Sequence, residues 1–197
     1  MGFRYYAVYK PFRMLSRFTE DGKKKPLLGD LGNFGPRVYP VGRLDADSEG
    51  LLILTDNKAL TDALLKPKNA HRRVYYAQVD RIITPEAAAE LERGTEISIK
   101  GVKYRTRPAK AALIAPPDLP ERYPPVRYRK DIPTSWVKLE LIEGKNRQVR
   151  RMTAAVGFPT LRLVRYAIED LTIDGMQSGD VRELSEAEVR DKLHVFV

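Results

Sequence analysis

Short alternating or apolar runs, each closed by glycine or proline, set the fold class of this chain. With 13 glycines and 14 prolines spread through 197 residues, long helices have little room. Residues 3–9 alternate as a strand that ends at Lys10-Pro11, because proline cannot donate to a ladder. Residues 51–55 form an apolar run that predicts a buried strand. Residues 73–80 set Val74, Tyr76 and Gln78 against Tyr75, Ala77 and Val79, and residues 136–142 alternate in the same way. Ile97, Ile99 and Val102 flank Lys100-Gly101 as a hairpin, and residues 108–115 and 161–171 read as further strands. Helix signals are fewer. Asn57 caps a helix bearing Leu60, Ala63 and Leu64, and Thr84-Pro85-Glu86 opens one that stops at Gly94. Asn146 is expected to cap a third that stops at Gly157, with Val149, Met152 and Val156 inward, and a Ser185/Glu188 capping box opens the last. Many strands interleaved with few helices predict an α+β fold, a mostly antiparallel mixed sheet flanked by helices and loops.

The length suits one large domain or two intimately packed lobes, and residues 1–197 are expected to form a single catalytic domain. Between residues 17 and 40, Gly22, Gly29, Gly32 and Gly35 leave only Leu27, Leu28 and Leu31 as anchors, predicting a partly ordered surface segment. Prolines 116, 117, 120, 124 and 125 likewise make 115–133 an exposed loop, with Arg122, Tyr123, Arg127, Tyr128, Arg129 and Lys130 concentrated in it. The absence of cysteine excludes disulfides, thiolate zinc sites and cysteine nucleophiles, and with two histidines an intrinsic metal is not expected. No apolar run approaches the roughly 20 residues of a bilayer span, and the first residues lack a secretory pattern, so no membrane association and a cytoplasmic location are expected.

A formal charge of +9 favours a polyanionic partner. The cations cluster at 71–73, 122–130, 145–151 and 162–165 with aromatic residues between them, as phosphates and stacked bases require. Two segments concentrate the chemistry: Gly42-Arg43-Leu44-Asp45-Ala46-Asp47-Ser48-Glu49-Gly50, and Glu143-Gly144-Lys145-Asn146-Arg147-Gln148-Val149-Arg150-Arg151-Met152. Arg43 and Asp45 point the same way in extended chain, and a guanidinium beside a carboxylate favours its charged form, the form that serves as nucleophile or base. A surface ion pair is the plainer alternative. Gly42 and Gly50 permit another backbone to approach, which would set the acid at the edge of the core, in a loop before a rigid strand. Asp47 offers a second carboxylate about 6 to 7 Å away if the chain is extended, a spacing used in glycosidic chemistry. A local turn through Ser48 or Glu49 would remove that pairing. On a helix, Arg147, Arg150 and Arg151 share neighbouring faces, and spacing alone does not choose between them. Tyr75 reads equally as a core aromatic.

These motifs together closely resemble the ribosomal RNA pseudouridine synthases of the RsuA type. Gly42-Arg43-Leu44-Asp45 with Ser48, Gly50-Leu51-Leu52, Leu54-Thr55 matches the acid motif, and Glu143 through Met152 the arginine motif. Lys10-Pro11 resembles the first motif, Arg73-Val74-Tyr75 the basic-x-tyrosine motif, and Arg165, Ile168, Leu171, Gly179, Arg182 and Leu184 the closing pattern. The resemblance implies the pseudouridine synthase fold, with Asp45 the catalytic aspartate, Tyr75 packed against the target base and Arg150 paired with the aspartate. It implies RNA contacts by Lys10, Arg43, Arg73, Lys145, Arg147, Arg151 and Arg165. It also implies isomerisation of a uridine in ribosomal RNA without a cofactor, by a protein expected to act as a monomer. Many relatives carry an S4-type RNA-binding module ahead of this body. Here the first strand is expected within a few residues of Met1, which resembles the large-subunit synthase E branch and favours large-subunit ribosomal RNA. A basic RNA-binding or ribosome-assembly protein without essential catalysis is the alternative. A glycosylase releasing free uracil is a third reading.

Overall fold

The computed structural model describes residues 2–20, 22, 25–127 and 130–195. In chain order its strands and helices are β1 (Tyr5–Lys10), β2 (Tyr39–Pro40), β3 (Glu49–Thr55), α1 (Lys58–Leu65), β4 (Arg73–Asp80), α2 (Pro85–Arg93), β5 (Glu96–Ile99), β6 (Val102–Arg105), β7 (Lys110–Ile114), β8 (Thr134–Leu141), α3 (Gln148–Ala155), β9 (Thr160–Ile168), β10 (Leu171–Thr172), β11 (Val181–Glu183) and α4 (Glu186–Leu193). The class is α+β. No helix among the described residues is long and apolar enough to cross a membrane.

The chain divides into two compact units, Met1–His71 with Arg165–Val197, and Arg72–Val164, the boundary falling inside β9. In the first unit β1 pairs antiparallel with β3 and β11, β2 adds to β3, and β10 folds back on β9. Every residue of β1 and β3 is buried, which is why 51–55 reads as a continuous apolar run rather than an alternating one. Tyr6, Val8, Leu52 and Leu54 pack with Met14, Leu28, Phe34 and Val38, with Phe18 and Leu31 at the margin. The 17–40 segment is thus better anchored than expected: the Phe34 ring meets Tyr6 and Phe18 edge-on at 5.2 and 5.7 Å, and a 3-10 turn spans Leu28–Leu31.

In the second unit β8 lies between β4 and β7, all antiparallel, and β5 and β6 form a separate hairpin. Its core joins Ala77, Val79, Leu91, Ile97, Val137, Leu139, Met152 and Leu163. The residues expected to cap helices do so in three of four cases. Asn57 accepts from Leu60 N–H, Thr84 from Ala87 N–H and Ser185 from Glu188 N–H. The exception is α3, where Arg147, not Asn146, takes the N-cap position in left-handed conformation and makes no side-chain cap bond. The 161–171 run is also not one strand. Glu169, at φ 48, turns the chain between β9 and β10.

Candidate active site

Asp45 sits on a loop whose backbone is tied down on both sides. The buried Ser16 hydroxyl donates to Leu44 C=O at 2.8 Å and accepts from Leu44 N–H at 3.0 Å. Arg13 N–H donates to Ala46 C=O at 2.6 Å, Ser48 N–H to Asp45 C=O at 3.0 Å, and Val41 N–H to Ile53 C=O at 2.8 Å. Asp45 itself is half-buried, beside an exposed Arg43 and a half-buried Asp47. Because the Ser48 bond closes a turn over residues 45–48, Asp45 and Asp47 do not lie along an extended strand, and the 6 to 7 Å carboxylate spacing does not apply. Sequence reasoning misses Ser16, which carries no local signal and lies 28 residues from the bonds it makes.

Beneath this loop lie two of the cations expected on an RNA-facing surface, Lys10 and Arg165, and both are buried. Lys10 Nζ donates to Pro11 C=O and Met14 C=O, each at 2.8 Å. Arg165 Nε donates to Leu51 C=O at 2.8 Å, while its Nη2 has no hydrogen-bond partner among the described residues. The close backbone approach expected at Gly50 is that of Arg165, whose amide nitrogen would lie 2.8 Å from a Cβ at Gly50. Gly42 instead faces a side chain, Leu65, though its φ of 72° suits glycine. The 162–165 patch is therefore no surface patch: Arg162 is also buried and donates to Pro120 C=O at 2.7 Å.

Burial pushes the Lys10 ammonium down to about 7, with Glu49, Asp47 and Asp45 pulling it back up and Arg165 pushing it further down. The folded protein thus sheds this proton near pH 7, whereas the unfolded chain keeps it to about 10.5, so the unfolded state binds more protons across that window. Stability relative to a Lys10→Met variant is expected to rise as pH climbs from about 7 to about 9.5. Urea unfolding of both proteins at the two pH values measures this, and parallel pH dependences would exclude a titrating Lys10.

In the second unit, the segment after β8 is organised by Glu143. Its carboxylate accepts from Tyr104 Oη at 2.6 Å, Arg107 N–H at 2.9 Å and Gln148 Nε2 at 2.6 Å. The bond to Glu143 raises the Tyr104 hydroxyl above its ordinary value. Gln148 Oε1 accepts from Lys145 N–H at 2.9 Å, and the exposed Lys145 ammonium stands 4.8 Å from the Tyr104 ring centroid. Arg151 Nε and Nη2 bond Asn146 O and Oδ1 at 3.1 and 3.3 Å, and its Nη1 donates to Ser98 C=O. Asn146 is consumed by Arg151, which is why it does not cap α3. Arg150 is half-buried and donates to Thr160 C=O at 3.2 Å. On β4, Arg73 and Tyr75 are half-buried opposite Leu141 and Leu139, and Tyr75 packs against the core of its unit. Arg147 is half-buried. Tyr128 and Arg129 of the basic loop lie outside the described residues, while Tyr123 is 90% exposed.

Residues 4–155 match the RNA pseudouridylate synthase family. Over 178 residues the chain is 46% identical to ribosomal large subunit pseudouridine synthase E of Vibrio vulnificus, covering 89% of this chain and 73% of that protein. Over 170 residues it is 45% identical to the protein of the same name from Xanthomonas axonopodis pv. citri, covering 85% of this chain and 86% of that one. Among solved structures, a crystal structure of a pseudouridylate synthase superposes with a TM-score of 0.77 at 25% identity, covering 98% of this chain and 74% of its own. The matched span holds both the tethered acid loop and the Glu143-organised segment, and with this extent of identity the chain belongs to the RNA pseudouridylate synthase family.

Proposed function

We propose that this protein converts a uridine of large-subunit ribosomal RNA to pseudouridine, with Asp45 as the acting carboxylate. The observation that carries the assignment is the tethering of the Asp45 loop by Ser16, Arg13 and Ser48 while the residue itself stays half exposed. A carboxylate held this way is ordered before substrate arrives, so little conformational freedom is lost at the moment of reaction. The relatives named as large-subunit synthases support the choice of RNA.

The reaction breaks the N1–C1′ bond, turns the uracil, joins C5 to C1′ and releases the C5 proton. No electrons change hands, so the conversion needs no redox cofactor. Attack at C1′ and removal of a sugar proton both use the charged carboxylate of Asp45. The target must leave its stack, at a cost of a few kcal/mol that phosphate contacts and aromatic packing offset. In this reading Tyr75 supplies the aromatic surface and Arg150 supports the acid, with Arg43, Arg73, Lys145, Arg147 and Arg151 toward the RNA. Lys10 and Arg165 serve from within, under the loop. The protein works as a monomer in the cytoplasm.

The direct test is tritium release from C5-labelled uridine in a large-subunit RNA transcript, and a purified protein that releases none across several assembly states of that RNA would end the proposal. The same assay reads the role of the tether. Ser16→Ala leaves the buried Leu44 N–H without its acceptor, a loss of about 1–3 kcal/mol, and kcat is expected to fall about tenfold with KM little changed. An unaltered kcat would show that the loop does not depend on that hydroxyl.

A further inference from the structure

Among the described residues, Lys138 and Lys110 face Glu140, and Arg182 faces Glu188. On the β5–β6 hairpin cations outnumber carboxylates, Lys100, Lys103 and Arg105 against Glu96 alone. Lys103 takes the one carboxylate on its outward face, Glu96, at 2.9 Å. Arg105, directly across from Glu96 in the ladder, is left without an ionic partner among the described residues, as are Lys100 at the tip and Arg107 just beyond β6. All three are exposed, and Lys145 stands beside them over the Tyr104 ring.

The mount of this hairpin is rigid. Ile97 is buried, and Ile99 and Tyr104 pack on the same core, so the inner face is fixed. Glu143 bonds both Tyr104 and the Arg107 backbone, and Arg151 of α3 reaches Ser98 C=O. The tip is a two-residue turn with positive φ at Lys100 and Gly101, the short connection that matches strand twist. Uncompensated cations on a stiff support lose little side-chain and backbone freedom on meeting an anion, and each phosphate they neutralise releases counterions.

We propose that the β5–β6 hairpin, with Lys145, is a docking surface for the phosphate backbone of the RNA outside the target nucleotide. The inference deepens the proposed function and rests on it for the identity of the polyanion. Its cations add affinity and orientation rather than chemistry.

The test compares three proteins on a protein-free large-subunit RNA transcript: wild type, the triple variant Lys100→Gln, Arg105→Gln, Arg107→Gln, and a triple of equal charge change on the other unit, Lys58→Gln, Lys68→Gln, Lys192→Gln. Binding is measured across a salt series, tritium release is followed in the same samples, and circular dichroism establishes that each variant is folded. For the hairpin triple, the slope of log K against log salt is expected to become shallower by about two to three, with affinity weaker by about tenfold or more near physiological salt. The first-unit triple should move the slope by less than about one. An unchanged slope in the hairpin triple, or an equal loss in the first-unit triple, overturns the docking surface. If wild type releases tritium in that case, the proposed activity stands without it. A hairpin triple that loses slope beside a wild type that releases no tritium keeps the docking surface and removes the proposed activity.

Discussion

The Asp45→Asn protein is expected to bind large-subunit RNA with the affinity of the parent and to release C5 tritium at least about a thousandfold more slowly. The expectation of intact binding follows from how the loop is held. Its tethers use the backbone of Leu44, Asp45 and Ala46, so an amide in place of the carboxylate leaves them in place. Affinity for a polyanion comes mainly from phosphate contacts, and removing one negative charge from a cationic protein does not weaken them. The catalytic loss follows from charge, since an amide is neither a competent nucleophile at C1′ nor a base. Lys10 loses one of the carboxylates that favour its proton, but Glu49 and Asp47 remain. Parallel binding and single-turnover measurements separate the two effects. Turnover within tenfold of wild type would remove Asp45 from the chemistry.

Gly50→Ala is expected to have the largest effect on stability, on the order of 3–5 kcal/mol, with Tm lowered by roughly 10 °C or more. Two independent costs meet at this residue. Its φ of 101° is a conformation that side chains rarely adopt, and an added Cβ would collide with the Arg165 carbonyl oxygen while lying 2.8 Å from its amide nitrogen. Both neighbours are backbone, so neither can swing away as a side chain would. The damage also spreads to the next residue, because Leu51 C=O accepts from Arg165 Nε. Thermal unfolding followed by circular dichroism is the measurement, and a Tm within about 2 °C of wild type would mean that β3 and Arg165 can separate without cost.

Much of this fold is legible in the chain because its signals are local. Asn57, Thr84-Pro85 and Ser185 each carry, within three residues, the acceptor and donor that open a helix. The alternation over Arg73–Asp80 coincides with β4 from end to end. What stays hidden depends on distant partners. The short β2 and β11 have too few residues to show a period, and the turn at Glu169 interrupts an apolar pattern that itself continues into β10. Phe34 and Val38 sit among glycines and prolines and declare no core until Tyr6 and Leu52 are beside them. The acid loop reads correctly as a loop before a buried strand. The burial of Lys10 and Arg165 is not legible in the sequence, since long cationic side chains are ordinarily at the surface. Here the carbonyls of Pro11, Met14 and Leu51 receive them inside, and Leu51 is 114 residues from Arg165. The arginine motif shows the same limit on a smaller scale. Its residues are evident, yet the roles of Glu143 and Gln148 depend on Tyr104 and Arg107 from another part of the chain.

The break inside β9 fixes an order of events during synthesis. Arg72–Val164 is complete as soon as its last residue leaves the exit tunnel, whereas Met1–His71 must wait for Arg165–Val197 before its own unit can close. Gly50 has no backbone to nestle against, and Leu51 no guanidinium, until Arg165 has been added. A nascent chain therefore closes the unit that carries the β5–β6 hairpin before the unit that carries the Asp45 loop.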